Sequence, residues 1–156
     1  MNAPVTYSID SSALIHAWWR AYRPRNFPSF WQHMDDLIEE NRLKASIEVY
    51  NELKKKDDDV YAWCKERKDK LIVEIDEATQ DAVVDLMANY QRLVDSVNGR
   101  SGGAPFVIAL AQTAVIQMNV VTEENPGKMR IPDVCANEGI EVMKIVDLIE
   151  QEGWVL

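Results

Sequence analysis

Val5-Thr6-Tyr7-Ser8-Ile9-Asp10-Ser11-Ser12-Ala13-Leu14-Ile15-His16 is the stretch whose reading decides the fold. Its first five residues are β-branched, aromatic or small, the composition of a short buried strand. Asp10, Ser11 and Ser12 then offer side-chain oxygens that can cap a helix, and the amphipathic run Ala13 to Ala21 follows. A strand that passes directly into a helix opens a parallel β-α unit, because parallel strands need a crossover between them.

The same alternation continues along the chain. After the break Arg23-Pro24-Arg25-Asn26-Phe27-Pro28, the residues Phe30, Trp31, Met34, Leu37 and Ile38 recur at helical spacing up to Asn41. A strand is expected over Leu43 to Ile47, then a helix carrying Val49 and Leu53 that ends in Lys54-Lys55-Lys56. Tyr61 to Arg67 reads as a helix, Leu71 to Ile75 as an apolar stretch, and Ala78 to Val97 as one long helix. The glycine cluster Asn98 to Gly103 delivers the chain into Pro105 and an apolar helix, Phe106 to Met118. Val120 to Thr122 reads as a buried strand, Ile131 to Asn137 as a short helix and Ile140 to Lys144 as a last strand before Val146 to Glu152. Apolar strands separated by helices imply an α/β fold, a central parallel sheet with helices on both faces.

At 156 residues the chain is long enough for one independent core, so residues 1–156 are expected to form a single domain. A composition of 47% hydrophobic and 28% charged residues excludes disordered and low-complexity classes. Lys and Arg total 17 against 26 Asp and Glu, a net charge of -9, which argues against unspecific adhesion to nucleic acid or anionic membrane. Cys64 and Cys135 have no CxxC or Cys/His partner spacing and read as buried free thiols. With no signal-peptide pattern and no apolar run near the ~20 residues that span a bilayer, the expectation is a cytoplasmic protein without membrane contact.

In open parallel sheets, ligands gather beyond the carboxyl ends of the strands. Asp10 follows the first strand candidate, and Glu124 follows Val120-Val121-Thr122 with Glu123 beside it. Glu52 lies about one turn into the helix after the second strand, close enough to lean over the same edge. Each acid alone reads as a helix cap or a solvated face. Three at one edge suit a hard divalent cation such as Mg²⁺ or Mn²⁺, which takes carboxylate oxygens from separate elements.

The order of strand-Asp10-Ser11-Ser12, Val49-Tyr50-Asn51-Glu52-Leu53, Ala104-Pro105-Phe106-Val107-Ile108-Ala109 and Val120-Val121-Thr122-Glu123-Glu124 resembles a PIN domain, a metal-dependent ribonuclease fold of many type II toxins. Ile131-Pro132-Asp133-Val134-Cys135 and the aromatic opening helices look like a bacterial PIN subfamily often described only as a domain of unknown function. The resemblance covers essentially the whole chain. It implies an endoribonuclease of a toxin–antitoxin pair that hydrolyses RNA with Mg²⁺ or Mn²⁺, an antitoxin protein that enters the cleft, and a homodimer. Carried over, it makes Asp10, Glu52 and Glu124 the metal-ligating and catalytic acids, with Ser12 and Thr122 as supporting hydroxyls.

One acid of that pattern is missing. Family members typically place an aspartate before Pro-Phe-Val-Ile-Ala, where this chain has Ala104. Ser101, Gly102 and Gly103 carry no carboxylate that could replace it. The expectation is a nuclease architecture impaired in catalysis, through an engineered Asp-to-Ala exchange or a natural loss. The alternative is a non-catalytic PIN-fold module that binds RNA or a protein through the same cleft. A phosphatase of the haloacid-dehalogenase type is disfavoured, since Asp10-Ser11-Ser12 lacks a second aspartate two residues on.

Among the remaining candidates, Asp133 either reaches the cluster or caps the short helix. His16 and His33 have no Ser or Cys nucleophile at a persuasive spacing. Arg20, Arg23, Arg25 and Lys54-Lys55-Lys56 are solvated surface or holders of RNA phosphates at the cleft rim, and Trp18, Trp19, Phe30 and Trp31 read as core or partner surface.

Overall fold

The computed structural model describes residues 4–94 and 102–156. Its five strands are β1 (Tyr7–Ile9), β2 (Leu43–Ser46), β3 (Ile72–Val73), β4 (Asn119–Val121) and β5 (Val142–Met143). They form one sheet in the order β3-β2-β1-β4-β5, with every pairing parallel. The chain builds outward from β1 through β2 to β3, then returns across β1 to add β4 and β5 on the other side. Right-handed crossovers therefore put the helices between β1 and β3 on one face and those between β3 and β5 on the other. The expected α/β class is observed.

On the first side run α1 (Ser11–His16), α2 (Pro28–Glu39), α3 (Ile47–Lys56), α4 (Asp59–Glu66) and α5 (Lys68–Leu71). The second half contributes α6 (Glu77–Asn89), α7 (Ala104–Thr113) and α8 (Ile131–Glu138), and α9 (Ile145–Glu152) closes the chain. The helix expected over Ala13 to Ala21 is two pieces, since α1 gives way to a π turn at Ala17–Ala21 in which Tyr22 N donates to Ala17 O at 2.8 Å. Ile47 belongs to α3 rather than to the strand before it, because Ser46 Oγ accepts from Glu48 N at 3.2 Å and caps the helix there.

Two long helices end earlier than their apolar periodicity suggests. In α6, Asp76 Oδ1 caps the start by accepting from Thr79 N at 2.8 Å, but the helix stops at Asn89. A single 3-10 turn, Gln91–Leu93, then turns Leu93 into the interior; Val97 and Asn98 to Ser101 lie outside the described residues. In α7 the helix stops at Thr113, whose Oγ1 bonds back to Ala109 O at 2.8 Å. The chain must turn there to bring Asn119 beside Thr6, and Met118 N reaches back to Ala111 O at 3.1 Å. The last strand is likewise two residues rather than the expected five.

The centre of the molecule is β1 under α7. Tyr7, Ser8 and Ile9 are all fully buried, as a strand covered on both faces must be. Ser8 Oγ donates to Val107 O at 2.8 Å, so a small hydroxyl lets α7 lie close to the sheet without leaving a buried polar group unsatisfied. Helix α7 is buried nearly all round, from Ala104 and Pro105 through Val107 to Ala111, which explains its lack of a polar face.

The aromatic residues form a second packing centre. Trp31 meets Trp18 at 4.9 Å, Trp63 at 5.1 Å and Phe30 at 5.1 Å between ring centroids, all edge to face. Tyr22 stacks on Phe30 at 4.8 Å, and Trp154 from the end of the chain closes on Phe30 and His33. Phe30 and Trp31 are thus core, while Trp19 remains on the surface. Cys64 and Cys135 are buried free thiols, and burial pushes both up to about 12, which leaves them protonated and unreactive at neutral pH.

At the edge of the sheet opposite the strand ends, Glu152 of α9 joins Arg42 Nη2 at 2.6 Å and accepts the Tyr7 hydroxyl. Both ion-pair side chains are largely buried, 16% and 10% exposed. Removing one partner of such a pair leaves the other without compensation. Glu152→Ala is expected to lower the free energy of unfolding by about 3 kcal/mol, and Glu152→Gln by less, since an amide oxygen still accepts from Arg42; urea denaturation of the two variants measures the difference.

Candidate functional site at the strand ends

β1 and β4 lie side by side at the point where the order of the sheet reverses, so their carboxyl ends open a crevice between the crossovers that leave in opposite directions. Asp10 is the first residue beyond β1 and the N-cap of α1, yet its side chain makes no capping bond to the first turn. Its Oδ2 instead accepts Ser12 Oγ at 2.6 Å and Thr122 Oγ1 at 2.9 Å. The two hydroxyls also approach each other at 3.2 Å. Ser12 Oγ accepts from Glu123 N at 3.1 Å and Thr122 Oγ1 from Glu124 N at 3.2 Å, which ties the chain after β4 to the start of α1.

Asp10 is buried, and burial raises its pKa above the ordinary carboxylate value of 3.8; the hydroxyls of Ser12 and Thr122 and, more weakly, the backbone N–H groups of Ser11 and Ser12 pull the other way but only in part. Positive charge brought beside a buried carboxylate favours its ionised form.

Glu124 and Ala104 line the same cleft as Asp10, together with Ser11, Ser12, Leu93 and Ile131, around a volume of about 110 Å³. Glu124 Oε2 also accepts from Ile131 N at 3.4 Å, at the start of α8. Glu52 comes in from α3: its Oε2 accepts Ser11 Oγ at 2.8 Å, and its other oxygen lies against Gly103. A Cβ at position 103 would stand 1.7 Å from Glu52 Oε1, so the Glu52 carboxyl keeps this position only beside a residue without a Cβ. Among the described residues no three His, Cys, Asp or Glu side chains converge into a metal-holding group.

Of the three expected acids, Asp10 and Glu124 line one cleft, with Ser12 and Thr122 bonded to Asp10, while Glu52 stands beside it on Ser11 and does not line it. The structure assigns two other acids elsewhere. Glu123 turns toward α9, where its Oε2 accepts from Ile145 N at 2.8 Å, and its Oε1 lies 3.5 Å from His16 Nε2. Asp133 caps α8, its Oδ2 accepting from Arg130 N at 3.0 Å and Gly127 N at 2.8 Å. His33 stacks on Trp154, and among the described residues no triad forms around either histidine. Lys54, Lys55 and Lys56 are exposed in the last turn of α3, where cations suit the helix dipole, and Arg20, Arg23 and Arg25 are exposed as well.

Ser11, Leu93 and Ile131 complete the cleft and were not marked by the sequence. Ser11 had a usable signal, its place in Asp10-Ser11-Ser12. Leu93 and Ile131 read only as helix positions, because what brings them here is the turn after α6 and the start of α8.

Residues 7–156 match the model of a family described as Domain of unknown function (DUF4411), and the chain belongs to that family. No curated protein matches it.

Two outcomes follow from the geometry. Asp10 has a raised pKa in the folded chain, so the folded state holds its proton more tightly than the unfolded state; this favours folding below the unfolded value of 3.8 and is lost as pH rises through the folded pKa. Asp10→Asn is therefore expected to raise the melting temperature at neutral pH in chelator, with the gain vanishing as pH falls to 3.8 and below. Gly103→Ala is expected to push the Glu52 carboxyl, the far end of a flexible side chain, off Ser11 at a cost of about 1 kcal/mol, that of one hydrogen bond. In a Glu52→Ala background most of that cost is expected to disappear, which a double-mutant cycle of urea midpoints measures.

Proposed function

We propose that the chain has the architecture of a PIN-type, metal-dependent endoribonuclease and that Ala104 is what limits its catalysis. The observation that carries this reading is the position of Ala104: it is the first residue of α7, and it lines one cleft with Asp10 and Glu124. An aspartate there would add a carboxylate to the cleft at a helix N-terminus, where negative charge is favoured. The donors already present are hard oxygens, from Asp10, Glu124 and the nearby Glu52, and they fit Mg²⁺ or Mn²⁺ better than a softer metal.

When bound, such a cation lowers the pKa of a coordinated water and offsets charge on the phosphate oxygens. The chain's own residues prepare for that chemistry. Ser12 and Thr122 hold the Asp10 carboxylate in one orientation, and Ser11 does the same for Glu52. Leu93 and Ile131 give the cleft apolar walls that limit water. Losing one central acid leaves this scaffold intact but weakens cation affinity, and a misplacement of order 1 Å costs ~10²-fold in rate.

RNA is the substrate in this reading, with Arg20, Arg23, Arg25 and Lys54 to Lys56 as candidates for phosphate contacts in a protein of net charge -9. A toxin role would add an antitoxin partner, a homodimer and a cytoplasmic setting. Among the described residues no helix is long and apolar enough to cross a membrane. The second reading, a non-catalytic module that binds RNA or protein through the cleft, is favoured by the same alanine, since a cleft without its third acid can bind without cutting.

Ala104→Asp separates the two. The nuclease reading expects Mg²⁺- or Mn²⁺-dependent cleavage of RNA at least ~10²-fold above the parent chain, abolished again by Asp10→Ala. Equal activity in Ala104→Asp and the parent chain would sink it.

A further inference from the structure

We infer that a nucleobase of the substrate strand is held in a side pocket next to the acid cleft, between α8, β5 and the start of α9; this rests on the nucleic-acid reading above. The pocket is an open hollow of about 230 Å³ lined by Thr122, Glu124, Pro126, Pro132, Val142, Met143, Lys144 and Asp147. Glu124 is the common wall, lining both this pocket and the cleft that holds Asp10 and Ala104. A strand whose phosphate sits in the cleft has its neighbouring base within reach of the pocket.

The lining has the chemistry of a base site. Pro126, Pro132, Val142 and Met143 offer apolar surface for the faces of a flat ring. The volume lies below the ~300–1,000 Å³ of drug-sized pockets and suits one ring system. Lys144 stands at the end of β5 with Nζ 2.6 Å from Asn125 Oδ1, a cation held where the chain leaves β4 and able to meet a flanking phosphate.

The polar edge is also selective. Asp147 Oδ2 accepts from Lys144 N at 3.0 Å, which orients that carboxylate at the start of α9. Carboxylate oxygens accept hydrogen bonds, so the Asp147 edge of the pocket favours a base edge rich in N–H donors. Guanine, adenine and cytosine carry an amino group; uracil does not. The pocket is expected to discriminate against uracil.

The test is an amide chemical-shift titration of the parent chain with GMP, AMP, CMP and UMP in chelator. The expected result is saturable shifts confined to residues 122–126, 131–132 and 142–147, weakest with UMP. Val142→Phe fills the pocket and abolishes them, and Lys144→Ala, on a half-buried surface lysine, weakens binding by about tenfold. Shifts that persist unchanged in both variants, that fall elsewhere, or that are absent for all four nucleotides overturn the proposal. In the Ala104→Asp background, Val142→Phe is expected to raise KM about tenfold with kcat nearly unchanged. If Ala104→Asp cuts RNA while Val142→Phe changes neither KM nor shifts, the pocket fails and the nuclease reading stands. If Ala104→Asp does not cut while the shifts appear as described, the nuclease reading fails and the pocket stands.

Discussion

The carboxylate of Asp10 is buried where β1 and β4 end side by side, held by the hydroxyls of Ser12 and Thr122. Burying a charge costs several kcal/mol even after relaxation, and the neutral donors around Asp10 recover only part of it. Sustaining the group therefore depends on favourable packing around it. That packing is the central unit of the molecule, in which β1 is covered on both faces and Ser8 ties it to α7 through the Val107 carbonyl. The same unit sets the start of α7, and with it the position of residue 104, against Asp10.

From this junction the other parts take their places. The bonds from Ser12 to Glu123 N and from Thr122 to Glu124 N lead the chain from β4 in two directions, Glu123 to the start of α9 and Glu124 to the start of α8. Two adjacent acids thereby have different neighbours: one anchors a helix beside His16, and the other walls both the cleft and the side pocket. At the opposite edge, Glu152 with Arg42 and Tyr7 keeps the last helix on the sheet, and Trp154 seals the aromatic cluster behind it.

Much of the fold was legible in local pattern. Strand-to-helix passages at Asp10 and after Ser46, and an all-apolar helix after Pro105, carry their own periodicity and caps, so class and element order could be read directly. Helix ends were less legible. The stops at Asn89 and Thr113 come from the path the chain must take to the next strand, and apolar residues such as Val115 and Ile116 continue the periodicity although they are exposed. Within the site, Asp10, Glu52 and Glu124 could be picked out as acids near strand ends, but Glu123 and Asp133 carried the same local signal and turned out to hold helix starts.

What the sequence by itself determined is the parallel α/β order, the acids that arrive at one edge of the sheet, and the absence of a carboxylate at residues 101–104. These are properties of composition and period along the chain, and they need no partner to be read. Only the tertiary structure decided that Glu52 reaches that edge through Ser11 and the bare Cα of Gly103, that Leu93 and Ile131 wall the cleft, and that a second pocket shares Glu124 with it. Those contacts join residues tens of positions apart, and their formation depends on how the crossovers close over the sheet rather than on any local preference.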